Sequence, residues 1–150
     1  MLAAPLIKES KIEPLPVGYI LVMPGGTAGW VGDVNLIPRE KPKIAAALAL
    51  TGQYMGYRMI LTDTGSNPQA QGYGPIPSEM IRAVKSVIDL PYVVAGGIRT
   101  LKELGDAYRA GADIVQIGTA FEDHGDTAYK KAAAFSKIVK EEGAKKLKKQ

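Results

Sequence analysis

Four apolar runs alternate with four helix-like runs along this chain, and no other feature limits the fold as tightly. Residues 17–23 form a continuous apolar run closed by Pro24, Gly25 and Gly26, as expected of a strand buried on both faces. A long connection leads to a helix opened by Pro42 and ending near Gly56. Residues 58–62 read as the second strand and residues 63–77 as a loop rich in Gly, Pro and Asn. Ser78 is placed to cap a helix through about Ile88, with Met80, Ile81, Val84, Val87 and Ile88 on one apolar stripe. Residues 91–95 are the third strand. Thr100 and Glu103 then have the spacing of a capping box, and Gly111 stops the helix that follows. Residues 113–117 are the fourth strand. A last helix starts near Asp126 or Thr127 and turns Ala128, Ala132, Phe135, Ile138 and Val139 inward. Strands joined by helical crossovers imply a parallel sheet in an α/β fold. The stretch 33–42 reads as an insertion whose apolar residues pack, so residues 1–150 are expected to form a single domain.

Composition narrows the chemistry. The 150 residues include no cysteine, which excludes a disulfide framework, a thiol nucleophile and thiolate metal ligands, and suits a reducing compartment. No apolar run nears the ~20 residues of a membrane span, and Pro5, Lys8 and Glu9 interrupt the apolar start, which makes it a poor secretory signal. The chain reads as cytoplasmic. Its net charge of +4 is uneven: Lys137, Lys140, Lys145, Lys146, Lys148 and Lys149 crowd the carboxyl end against Glu141 and Glu142. These lysines read as a solvated, partly frayed terminal helix, with attraction to an anionic membrane surface, as a peripheral contact, or to an anionic substrate as a second reading. No aromatic residues are interleaved with them, so nucleic acid is not an expected partner.

Glycine at the carboxyl ends of strands points to the chemistry. Residues 63–66 read DTGS, 95–97 read AGG and 118–119 read GT. Bare backbone lets a ligand approach closely, and successive amides hold an anion. The spacing from Gly96 to Gly118 is one helix plus one strand, so two adjacent units would contribute to one site. In (β/α)8 barrels such a site binds phosphate in the loops after strands seven and eight. Asp63 is the candidate catalytic group, able to accept a proton or a hydroxyl hydrogen bond, with Ser66 as a donor to phosphate. His124, with Asp123 and Asp126, lies in a local polar loop and reads as solvated, not as a metal site. Trp30 reads as a packing or subunit-contact residue.

The segments EPLPVGYILVMPGGTAGWVGD, IPREKPKIAAALALTGQYMGYRMI, DTGS, AGGIRT and VQIGTAFE resemble the archaeal geranylgeranylglyceryl phosphate synthase family, from about Ile12 to Phe121. PGGTAGWVGD and IPREKP are the most specific of these. The resemblance implies a (β/α)8 barrel that joins a geranylgeranyl diphosphate to sn-glycerol 1-phosphate, with Mg²⁺, in ether-lipid synthesis. It implies that glycerol 1-phosphate is held by Leu61, Thr62, Asp63, Thr64, Gly65, Ser66 and Asn67, by Gly96 and Gly97, and by Gly118 and Thr119. The family usually has glutamate where this chain has Asp63. The prenyl tail is expected in a groove along the strand at Tyr19 to Val22 and the helix near Tyr54 and Tyr57.

A complete (β/α)8 barrel takes ~250 residues, and this chain carries four units. They resemble the family's fifth to eighth, which places the Mg²⁺ ligands and much of the diphosphate site on an amino half that this sequence does not carry. A half barrel exposes two sheet edges and an apolar face. Expected partners are therefore a complementary amino-half chain or a second copy, unless the sequence is a truncated or cleaved product. A heptaprenyl donor is the alternative within the same chemistry. A phosphate-binding half barrel without turnover is the alternative outside it.

Overall fold

The computed structural model describes residues 3–122 and 126–148. The elements run α1 (Ala3–Glu9), β1 (Val17–Leu21), α2 (Gly26–Gly32), α3 (Pro42–Tyr54), β2 (Met59–Asp63), α4 (Ser78–Lys85), β3 (Tyr92–Ala95), α5 (Leu101–Ala110), β4 (Ile114–Gln116) and α6 (Asp126–Leu147), with 3-10 turns at Pro68–Gln71 and Thr119–Phe121. The four strands form one parallel sheet in the order β1-β2-β3-β4. These are four consecutive βα units of the (β/α)8 barrel type.

Register sets the layers. Tyr19 pairs with Leu61, Leu61 with Val93, and Val93 with Ile114; one layer up, Leu21, Asp63, Ala95 and Gln116 lie in register. The alternate set, Ile20, Ile60, Thr62, Tyr92 and Val94, is buried against the helices together with Ala45, Ala49, Met80, Ile81, Val84 and Leu104. Thr62 Oγ1 and the Tyr92 hydroxyl share a 2.7 Å hydrogen bond inside this layer, so neither polar group is left buried without a partner. The helices line one face only. Val17 and Tyr19 are therefore exposed, and β1 is not buried on both faces as its apolar run suggests. Among the described residues no helix is long and apolar enough to cross a membrane.

Other local expectations are corrected by packing. Residues 27–40 are not all connection: α2 forms there, its period hidden by three glycines in seven residues. The cap of α4 is Pro77, and Ser78 is the first helical residue; the helix ends at Lys85, and Val87 is exposed. Ala132 and Val139 of α6 also face solvent, because the helix meets α5 along Phe135, Ile138 and Glu142. Trp30 is 83% exposed and does not pack within the chain. The capping box of α5 forms as its spacing requires: Glu103 N donates to Thr100 Oγ1, and Thr100 N donates to the Glu103 carboxylate.

Two of the carboxyl-end lysines have structural partners. Asp113 accepts from Lys85 Nζ at 2.8 Å, Lys146 Nζ at 3.1 Å and the amide of Tyr92 at 3.0 Å, while Lys145 pairs with Glu142. Burial alone would raise the pKa of Asp113, but these three donors outweigh it and hold the group below the ordinary carboxylate range. A depressed folded-state value stabilises above the unfolded value of about 3.9, and the contribution is lost as pH falls through the folded one. Asp113→Asn is therefore expected to cost about 1–2 kcal/mol at pH 7, read by urea denaturation, and to flatten the decline in stability below about pH 4.

Candidate functional site

The register that aligns Asp63, Ala95 and Gln116 brings three βα loops to one level. Together they line a cleft of about 110 Å³. From the end of β2 come Asp63, Gly65, Ser66 and Asn67; from β3, Gly96, Gly97 and Arg99; from β4, Gln116, Gly118 and Thr119.

Asp63 is the last residue of β2, not a loop residue, and its carboxylate is held at both oxygens. The Gly65 amide donates to Oδ1 at 2.8 Å, and the Tyr19 hydroxyl donates to Oδ2 at 2.5 Å, the length of a charge-assisted bond. Tyr19 reaches across from β1, one layer below. Its partial burial, then the bond to Asp63, then the carboxylate's charge push the phenol up to about 12, so it is a donor throughout the neutral range.

Gly96 has φ +84°, and a Cβ there would lie 2.6 Å from Asp63 Oδ1 and 2.8 Å from the carbonyl oxygen of Gly65. The second strand end can thus close on the first only without a side chain. Gly118 differs: a Cβ there would meet nothing within 4 Å, and the space lies open to the cleft.

The loops are tied together. Arg99 donates to Asn67 Oδ1 at 2.8 Å, and Gln69 Nε2 donates to the Gly97 carbonyl. Arg39 donates to Met23 O, to Thr64 Oγ1 and to Pro75 O, and its guanidinium lies 5.6 Å from the centre of the Tyr73 ring. Burial lowers Arg39 from its ordinary value, with Tyr73 acting in the opposite direction.

Of the residues expected at the glycerol phosphate site, Asp63, Gly65, Ser66, Asn67, Gly96, Gly97, Gly118 and Thr119 line the cleft. Three do not. Leu61 lies one layer below, opposite Tyr19 and Val93. The period of two turns Thr62 to the helix layer, where it meets Tyr92. Thr64 is fully buried, with its hydroxyl between Arg39 and Met23 O. The bond from Tyr19 to Asp63, the place of Arg99 in the cleft and the tie through Arg39 were not read from the sequence. Only Arg99 carries a local signal, two residues after Gly97 in the same loop.

Among the described residues Asp63 is the one carboxylate lining the cleft, and no group of three or more His, Asp or Glu side chains is gathered. These residues do not make a Mg²⁺ site. Asp123 and His124 lie outside the described residues. A second, more apolar slot of about 260 Å³ runs beside β1, lined by Tyr19, Leu21, Ile37, Leu48, Met55 and Tyr57. Tyr54 is 79% exposed and takes no part in it.

A relative from Thermococcus sibiricus named geranylgeranylglyceryl phosphate synthase is 53% identical over 119 residues, 79% of this chain and 45% of its own. Another with that name, from Thermococcus gammatolerans, is 49% identical over 142 residues, 93% of this chain and 54% of its own. The crystal structure of (S)-3-O-geranylgeranylglyceryl phosphate synthase from Thermoplasma acidophilum, in complex with sn-glycerol-1-phosphate, superposes with a TM-score of 0.84 at 35% identity, covering 93% of this chain and 55% of that one. The chain thus spans about half the length of the curated relatives it matches. Residues 2–136 match the model of the PcrB family, and the chain belongs to that family.

Proposed function

We propose that this chain is the glycerol-phosphate half of a prenyltransferase that joins geranylgeranyl diphosphate to sn-glycerol 1-phosphate. The observation that carries the reading is the cleft itself: three in-register strand ends, with glycine backbone on three sides and one anchored carboxylate. The relatives' names and the sn-glycerol-1-phosphate held by the Thermoplasma acidophilum enzyme support it. The last two strands, followed by a short 3-10 helix, correspond to the barrel position that holds phosphate after strands seven and eight. On this reading the chain is the carboxyl half of a barrel. Four further units would close the face on which Val17, Tyr19 and Ile114 stand exposed.

In the mechanism, the backbone of Gly96, Gly118 and Thr119 receives the phosphate. Asp63 accepts the hydrogen bond of the glycerol hydroxyl and takes its proton as the carbon–oxygen bond forms and diphosphate leaves. Tyr19 and the Gly65 amide fix both oxygens of Asp63, so the carboxylate need not reorganise. The apolar slot beside β1 receives part of the prenyl chain, and Tyr19, which lines that slot, links it to the cleft through its bond to Asp63. A Mg²⁺ ion, which would neutralise the leaving diphosphate, finds no ligand set in the described residues, and no step here runs through it.

Calorimetric titration tests the reading. The chain is expected to bind sn-glycerol 1-phosphate and to give no heat with glycerol. Equal responses to the two, or none to either, would remove the phosphate cleft from the account.

A further inference from the structure

The cleft holds an electrostatic problem that its glycines do not solve. A phosphate monoester carries close to two negative charges at neutral pH. Here it would share about 110 Å³ with the carboxylate of Asp63. Backbone amides supply partial positive charge only. Among the described residues, one cationic side chain lines the cleft, and it is Arg99.

Arg99 is fixed at both ends. Its main-chain amide donates to Glu103 Oε2 at 2.9 Å, which ties it to the start of α5. Its Nη2 donates to Asn67 Oδ1 at 2.8 Å, and Asn67 also lines the cleft, from the loop after β2. The guanidinium is therefore held between the second and third strand ends. A guanidinium has five N–H donors in a planar fork suited to phosphate oxygens, and Asn67 takes one.

We propose that Arg99 is the charge partner of the phosphate, and that it makes the cleft select a phosphate monoester dianion in spite of Asp63. The inference rests on the glycerol-phosphate reading given above and adds to it a binding residue outside the glycine loops. A purely mechanical role is the competing explanation, with Arg99 only stapling Asn67 to the third loop. Charge and stapling make different predictions, because a lysine keeps the charge and loses the fork, while a glutamine keeps an amide donor and loses the charge.

The test titrates the wild-type chain, Arg99→Gln and Arg99→Lys with sn-glycerol 1-phosphate and with inorganic phosphate at low and high salt, with thermal melts run alongside. Arg99→Gln is expected to weaken both ligands about tenfold to a hundredfold. It should also reduce the salt dependence of binding, with the melting temperature close to wild type. Arg99→Lys should recover most of the affinity. Binding by Arg99→Gln within twofold of wild type overturns the role of Arg99 and leaves the phosphate cleft standing. A lysine variant as weak as the glutamine one assigns Arg99 to stapling and also overturns the proposal. If the wild-type chain binds neither probe, the cleft reading fails, and this inference fails with it.

Discussion

Gly96→Ala is expected to abolish glycerol 1-phosphate binding and to destabilise the chain by about 3 kcal/mol. The backbone at Gly96 has φ +84°, a conformation that costs an L-residue about 1–2 kcal/mol. The added methyl would lie 2.6 Å from Asp63 Oδ1 and 2.8 Å from Gly65 O. The carbonyl belongs to a loop tied down through Thr64 and Arg39 and has little room to withdraw. The carboxylate is the softer neighbour, so it would swing away and lose its bonds to Tyr19 and the Gly65 amide. Strain and overlap together justify the size of the loss. Gly118→Ala is the matched control: its methyl meets nothing within 4 Å, so stability should stay within about 0.5 kcal/mol while the ligand loses its close approach. Urea denaturation and calorimetry on the two variants separate these outcomes. A Gly96→Ala chain with wild-type stability and affinity would refute the account of how the two strand ends meet.

Asp63→Asn is expected to lower turnover by about 10²–10⁴-fold, measured in a complete barrel whose other four units come from a relative. Binding of glycerol 1-phosphate should be unchanged or tighter, because a negative charge leaves the wall of the cleft. The replacement is nearly isosteric. Its oxygen can still accept from the Gly65 amide, and its nitrogen can face the Tyr19 oxygen, so the fold should be kept. What is lost is the ability to take a proton. A variant with wild-type turnover would show that Asp63 only shapes the cleft, and one that binds poorly would show that it was needed to place the ligand.

These residues also show what the sequence could and could not reveal. Strand–helix alternation was legible because buried parallel strands are written as short apolar runs, and a break at glycine is a local signal. Gly65, Gly96 and Gly97 have φ of +84°, +84° and +74°, a constraint set within their own loops, and they fell where the spacing placed them. The α5 cap was legible for the same reason, since a capping box closes within four residues. Helix α2 was not legible, because its three glycines carry no helical period. Nor could the contiguous block 61–67 be sorted from the string alone. A strand alternates sides, so Thr62 faces Tyr92 while Asp63 faces the cleft. The partner of Asp63 was hidden for a different reason. Tyr19 is 44 residues away and meets it only because β1 and β2 pair in one register, where Leu21 stands opposite Asp63 and a long side chain from the layer below reaches the carboxylate. Arg39 is likewise 25 residues from Thr64 and 36 from the segment at Pro75. Such ties follow from the assembled sheet and leave no short-range trace.

The central claim is that three glycine-ended loops form one phosphate grip in this chain. Amide chemical shifts, followed residue by residue during a titration with sn-glycerol 1-phosphate, test it most directly. The account predicts saturable shifts concentrated at residues 65–67, 96–99 and 117–120, with little change along the apolar slot beside β1. Saturable shifts centred on that slot, or none in these three loops, would contradict it.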